Sequence, residues 1–189
     1  MFMSYFNDAM KYILEVEGIY SNDESDLGGE TYGGISRRAH PNWEGWTLVD
    51  KAKSNGTDLR AKFISVDGIC LLNLVKYFYK NNYWEPLKLE SVMDRDVAIK
   101  IFDIGVNIGI KRCVQMVQSC IGLFEPIKND GIIGNKTLAS INSMDWSLLL
   151  KLLTIKQGHL YLQIVSAHPS QEKFLKGWIN RLNITIGEF

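Results

Sequence analysis

Apolar positions near the start of the chain recur with a helical period. Phe6, Met10, Ile13 and Leu14 stand at i, i+4, i+7 and i+8, with Asp8, Lys11 and Glu15 on the other side, which predicts an amphipathic helix. Three residues beyond Leu14 the stripe lands on Glu17, a carboxylate where another hydrophobe is due. Gly18 follows and suits the left-handed cap that ends a helix. Glu17 is therefore expected in the last turn, facing inward.

The period is lost after Gly18. Residues Ser21 to Ser36 hold four glycines among Ser, Asn, Asp and Glu, which predicts an ordered turn or short hairpin, with "GGETYGGIS" forming strands around Thr31 to Ile35. Downstream, "VDGICLLNLVKYFYKNNYWEPL" reads as a helix ended near Asn81 and Asn82, with an aromatic turn at Tyr83, Trp84 and Pro86. "RDVAIKIFDIGVNIG" reads as a helix stopping near Gly109. Cys113, Met116, Val117, Cys120 and Ile121 mark the core face of another.

"FEPIKNDGIIGNKTLASI" reads as a loop leading into a short helix, and Trp146 to Ser166 is the longest helical stretch. His168, Pro169 and Ser170 break it ahead of a last helix, "QEKFLKGWINRL". There is no repeat, low-complexity tract or clear linker. The pattern predicts a mostly α-helical single domain with a minor β element near residue 30.

Composition narrows the function. Lys+Arg and Asp+Glu balance at 21 each, so no strong field points to nucleic acid. Cys70, Cys113 and Cys120 cannot all pair and lack metal-ligand spacing, which makes them reduced core thiols. His40, His159 and His168 are scattered, so no metal or other cofactor is expected. Residues 1–18 carry no basic segment ahead of a continuous apolar run, and the expectation is a soluble product made in the cytoplasm without a classical signal peptide.

The chemistry gathers at the end of the first helix. Burial and the negative end of the helix dipole both raise the pKa of an inward Glu17. A carboxylic acid protonated near neutrality is what glycoside hydrolysis needs to protonate a leaving oxygen, with an ionised partner for water or the developing cation. Asp26 is the candidate partner, and Thr31 offers a hydroxyl to hold water or orient Asp26. A purely local reading stands beside this one: Glu17 capping its own loop, Asp26 in an Asx turn, Thr31 pairing in a hairpin.

Glu17, Asp26 and Thr31 resemble the Glu, Asp and Thr constellation of phage-type lysozymes. The blocks "EGIYSNDESDLGGETYGGIS", "YWEPL", "FDIGVNIG", "DGIIGNKTL" and "SQEKFLKGWINRL" are similar, in order, to those of the glycoside hydrolase 108 family of N-acetylmuramidases. Ile19 and "SDLGG" stand where the family more often has a glycine and "DPGG"; both changes spare the carboxylates. The resemblance implies a mainly α, lysozyme-like helical fold with a small β-hairpin next to the catalytic helix. It implies a catalytic region over residues 1–121 and a peptidoglycan-binding helical region over 122–189 packed against it.

It also implies Glu17 as the principal acid, peptidoglycan glycan strands as substrate, and cleavage of the β-1,4 bond between N-acetylmuramic acid and N-acetylglucosamine. The family setting is cell lysis or protein secretion, with release to the periplasm or cell wall through a holin-like membrane protein. Tyr32 is a candidate sugar contact, and Tyr83 and Trp84, in the turn "NNYWEPL", either stack on sugar rings at the mouth of a cleft or form a lid over the core. Asp103 and Asn107, four apart and both within the family block "FDxxVN", either bind an N-acetyl group or fix helix packing. Glu85 is a solvated acid or a second active-site acid, and Lys173, Lys176 and Arg181 are a solvated face or meet acidic wall polymers. The alternative function is a non-catalytic peptidoglycan-binding or secretion-complex module.

Overall fold

The computed structural model describes residues 5–22, 29–61 and 64–182, with the backbone alone for 15–17. It forms two compact units, Phe6–Asn82 and, with Met1–Tyr5, Tyr83–Phe189. No change of composition marks the division, which falls inside a π-helical turn, Lys80–Trp84.

In the first unit, α1 (Phe6–Glu17) buries Phe6, Met10 and Ile13, as their spacing predicts, together with Ala9 and Tyr12. Gly18 takes φ +74° and donates its N–H to the Leu14 carbonyl at 3.2 Å, the left-handed cap expected of it. A three-stranded antiparallel sheet follows: β1 (Tyr20–Ser21), β2 (Thr31–Tyr32) and β3 (Ile35–Ser36), in that order. Gly33 and Gly34, at φ +55° and +78°, join β2 to β3 in a two-residue turn whose twist matches the strands.

After α2 (Gly45–Ser54) comes a second hairpin, β4 (Ser65–Val66) and β5 (Ile69–Cys70), and only then α3 (Leu71–Tyr79). This corrects the sequence reading, which ran the helix through "VDGIC". Asp67 and Gly68 take φ +53° and +77°, a hairpin turn that a helix cannot absorb, and Cys70 stays extended before α3. An aromatic cluster fills the unit: Trp43 lies edge-on to Trp46 and Phe78, and Tyr32 stacks on Trp43 with centroids 6.3 Å apart.

In the second unit, α4 (Arg95–Ile108) starts on Asp94, whose carboxylate accepts from the Val97 N–H at 2.8 Å, and stops at Gly109 with φ +85°. Next come α5 (Ile110–Ile121), α6 (Asn135–Ser143), α7 (Trp146–Ala167) and, after a 3₁₀ turn at Pro169–Gln171, α8 (Glu172–Leu182). The long α7 packs against α4, α5, α6 and α8. Its inner row is Leu149, Leu153, Gln157 and Tyr161, one residue every four. The loop into α6 is pinned by Gln118, whose amide nitrogen donates to Asp130 at 3.0 Å while its oxygen accepts from the Gly131 N–H at 2.9 Å. Among the described residues no helix is long and apolar enough to cross a membrane.

Candidate functional site

The backbone of Glu17 ends α1, where periodicity placed it, and Gly18 turns the chain directly into β1. Its side chain and the whole of Asp26 lie outside the described residues. Thr31 occupies the central strand, opposite Ser21 on one side and Ser36 on the other. Successive strand residues face opposite ways, so Ser21, Thr31 and Ser36 line one face of the sheet while Tyr32 and Ile35 fill the buried one.

Close backbone approach at Gly33 serves the protein itself. A β-carbon there would lie 2.8 Å from Val75 Cγ1, and the Tyr79 hydroxyl donates to the Gly33 carbonyl at 3.0 Å. The Gly33 N–H in turn donates to Ile19 at 2.6 Å, tying the hairpin tip to the residue after the helix cap. Beside these contacts opens a cavity of about 240 Å³, lined by Lys11 and Leu14 of α1, Ile19, Tyr32 and Gly33, and Leu72 and Val75 of α3. Apart from Lys11 and Tyr32 its lining side chains are aliphatic. Burial, with a smaller effect of Cys70, pushes the Tyr32 phenol up to about 12, so it stays a neutral hydroxyl.

The hairpin is held by a cluster that sequence reasoning missed. Glu30 accepts from the Tyr20 hydroxyl at 3.0 Å and from Lys53 Nζ at 2.9 Å, and it pairs with Arg37 Nε at 2.7 Å. Arg37 also grips Asp50 with both terminal nitrogens, at 3.1 and 2.6 Å, and its guanidinium lies 4.3 Å over the Trp46 ring. These bonds raise the Arg37 pKa, chiefly through Asp50, and hold the Asp50 carboxyl below its usual range. Hydrogen bonding to Glu30 raises the Lys53 pKa, and Tyr20 is raised by burial first and by Glu30 second. The signal was present: the register that pairs Thr31 with Ser36 puts Glu30 opposite Arg37, an opposite-charge cross-strand pair.

The other proposed sugar contacts belong to the second unit. Trp84 is fully buried, edge-on to Phe102, with its indole N–H donating to Glu90 at 2.9 Å. A ring with no exposed face cannot stack on a sugar, so Trp84 is a packing residue and the sugar-contact reading is corrected. Tyr83 is half-buried, and burial raises its pKa. Asp103 is buried as well, with one carboxylate oxygen 2.6 Å from Arg181 Nε and the other accepting from Gln157 at 3.3 Å. Of the two readings of Asp103, its contacts are those of the packing one, and Arg181 is a buried ion-pair partner and not part of a solvated face. Asn107, half-buried, accepts from the Tyr161 hydroxyl at 3.1 Å.

The three thiols are free: Cys113 and Cys120 are buried in α5, and Cys70 is half-buried. Among the described residues no three His, Cys, Asp or Glu side chains group to hold a metal ion.

A family model described as glycosyl hydrolase 108 matches residues 10–109, and one described as a predicted peptidoglycan domain matches residues 112–183. No curated protein matches. Among solved structures the chain is similar to SagA of Brucella abortus, with 23% sequence identity over 94% of this chain and 88% of that one, at a TM-score of 0.65. At that identity the likeness is one of fold: mainly α, with a small β-hairpin beside the first helix.

Proposed function

Because the chain belongs to the glycosyl hydrolase 108 family, we propose that this glycoside hydrolase is a lysozyme-like muramidase. It hydrolyses the β-1,4 bond between N-acetylmuramic acid and N-acetylglucosamine in peptidoglycan. The observation that carries the reading is the joint match, in one chain, of a glycosyl hydrolase over residues 10–109 and a peptidoglycan domain over 112–183.

In this proposal Glu17 holds a proton because it ends a helix beside apolar neighbours, and it delivers that proton to the leaving glycosidic oxygen. Asp26 stabilises the developing positive charge or activates water, and Thr31 assists it from the central strand of the clamped hairpin. Leu14 and Ile19, on either side of Glu17 in the sequence, both line the 240 Å³ cavity. That cavity would give a sugar an apolar wall, with the neutral Tyr32 hydroxyl as a polar contact. Tyr83 and Asn107 are the further candidate contacts. The division of labour proposed is a catalytic region over 1–121 and a peptidoglycan-binding region over 122–189. The proposed setting is lysis or holin-assisted secretion, with action in the periplasm or cell wall.

The bond assignment is tested by digesting purified peptidoglycan, reducing the products with borohydride and identifying the reduced sugar. Reduced N-acetylmuramic acid is expected. Reduced N-acetylglucosamine as the new end would assign the enzyme to the other glycosidic bond.

A further inference from the structure

The longest helix is apolar on two opposite sides. Across α7 from its buried row, Leu148, Leu152, Ile155, His159 and Leu162 follow the alternating four-and-three spacing of a second helix face. This outer row lies open: Ile155 is 67% exposed and Leu162 56%, and Leu148 and His159 are exposed with them. A helix that packs one face on a core is expected to be polar on the other, and one that is apolar all round belongs in a core or in lipid. The uncovered aliphatic row therefore marks a surface that something outside the chain covers.

The charges beside the row have one sign. Lys151 and Lys156 flank it on its two sides, and α7 contains no Asp or Glu. Among the described residues neither lysine has an ion-pair or hydrogen-bond partner. The nearest acid in sequence, Asp145, is engaged as the helix cap, accepting from the Leu148 N–H at 2.9 Å. The exposed Lys173 and Lys176 of α8 add to the same field against Glu172 alone, in a chain whose acids and bases balance at 21 each. A second copy of this face would set lysine against lysine, and a glycan or nucleic acid strand has no continuous apolar layer for the aliphatic row. A bilayer of anionic phospholipid offers both, acyl chains for the row and phosphates for the lysines, whose methylene stems reach from one to the other. Among the described residues no helix is long and apolar enough to cross a membrane, so the fit is to lying along its surface.

We propose that α7 docks the chain on the surface of a membrane rich in anionic phospholipid, with Ile155 and Leu162 at the acyl boundary and Lys151 and Lys156 among the phosphates. His159, in the middle of the row, has an apolar ring body and a polar tip that suit the same depth. Docking is a separate activity from hydrolysis and does not rest on the muramidase reading. Its consequence for a peptidoglycan hydrolase is confinement to the glycan next to the membrane.

The test is co-sedimentation of the full chain with vesicles of phosphatidylglycerol and phosphatidylethanolamine in equal parts, against vesicles of phosphatidylcholine alone. Binding to the anionic vesicles is expected to be about tenfold tighter or more, and to weaken as salt is raised. Ile155→Ser combined with Leu162→Ser should weaken it about thirtyfold, and Lys151→Gln combined with Lys156→Gln about tenfold. Both apolar positions are exposed, so their double variant is expected to keep the native melting temperature; the lysine variant removes no packed surface and reads the same claim independently. Equal binding to the two kinds of vesicle, binding to neither, or undiminished binding by either double variant overturns the proposal. Sedimentation equilibrium without lipid is expected to show no self-association through this face. A dimer that the Ile155 and Leu162 substitutions dissociate would assign the face to a second copy and overturn the proposal.

Discussion

Asp103 of α4 and Arg181 of α8, 78 positions apart in the chain, form an ion pair at 2.6 Å with both side chains buried. Gln157 binds the second oxygen of Asp103 and donates to the Tyr161 hydroxyl at 2.8 Å, and Tyr161 donates to Asn107, so four polar side chains from α4 and α7 share a network with the α8 arginine. Removing one member strands a charge away from water. Arg181→Met is expected to destabilise the second unit by about 3–5 kcal/mol. Urea unfolding followed by tryptophan fluorescence, with Trp178 stacked on Tyr161 beside the network, checks it. An unchanged midpoint would contradict the pair's structural role.

Gly33 and Gly18 both sit at positive φ, but their surroundings differ. Gly33→Ala meets both the left-handed backbone and Val75, and is expected to cost about 2–4 kcal/mol. At Gly18 a β-carbon finds nothing within 4 Å, so Gly18→Ala should cost only about 1–2 kcal/mol. Adding Val75→Ala to Gly33→Ala should recover the steric part relative to Val75→Ala alone. Denaturation midpoints of the native chain, Gly33→Ala, Val75→Ala and the double variant form the cycle that measures it.

Acid stability should report the Arg37 clamp. The Asp50 carboxyl, mainly through its hydrogen bond to Arg37, titrates lower in the folded chain than in the unfolded one. Its stabilising contribution is therefore complete above the unfolded value of about 4 and is lost as pH falls through the lower folded one. Asp50 is largely exposed, so the effect is a fraction of a kcal/mol to about 1 kcal/mol. Melting temperature measured from about pH 6 to about pH 3 should fall less steeply in Arg37→Met than in the native chain.

Thiol reactivity should separate the cysteines. Burial pushes Cys120 up to about 11 and raises Cys113 further, which keeps both as unreactive thiols at neutral pH. Ellman's reagent should therefore label Cys70 alone in the native chain, and all three thiols in denaturant. Native labelling of three would contradict the packing of α5.

Local signals carried much of the fold. Gly18 and Gly109 end their helices as their positions after apolar stripes require, and Cys113, Val117, Cys120 and Ile121 lie on the buried face that the period drew. The Asp67–Gly68 hairpin was legible too, as a turn pair flanked by Val66 and Ile69, but the apolar run behind it reads as one helix. What no local rule could supply was pairing across the chain. Nothing near Asp103 points to Arg181, and nothing in "NNYWEPL" says that Trp84 turns inward to Phe102 and Glu90. At the candidate site, the position of Glu17 at a helix end and of Thr31 in a strand followed from periodicity and turn chemistry. The Glu30–Arg37–Asp50 clamp emerged only once the strand register was known.

If Glu17 is the proton donor proposed above, digestion of purified peptidoglycan separates the native chain from Glu17→Gln. Soluble fragments are then identified by mass spectrometry. The native chain should release disaccharide peptides ending in N-acetylmuramic acid, and the substitution should slow their release about 10²–10⁴-fold. Release by Glu17→Gln at the native rate would contradict that role for Glu17.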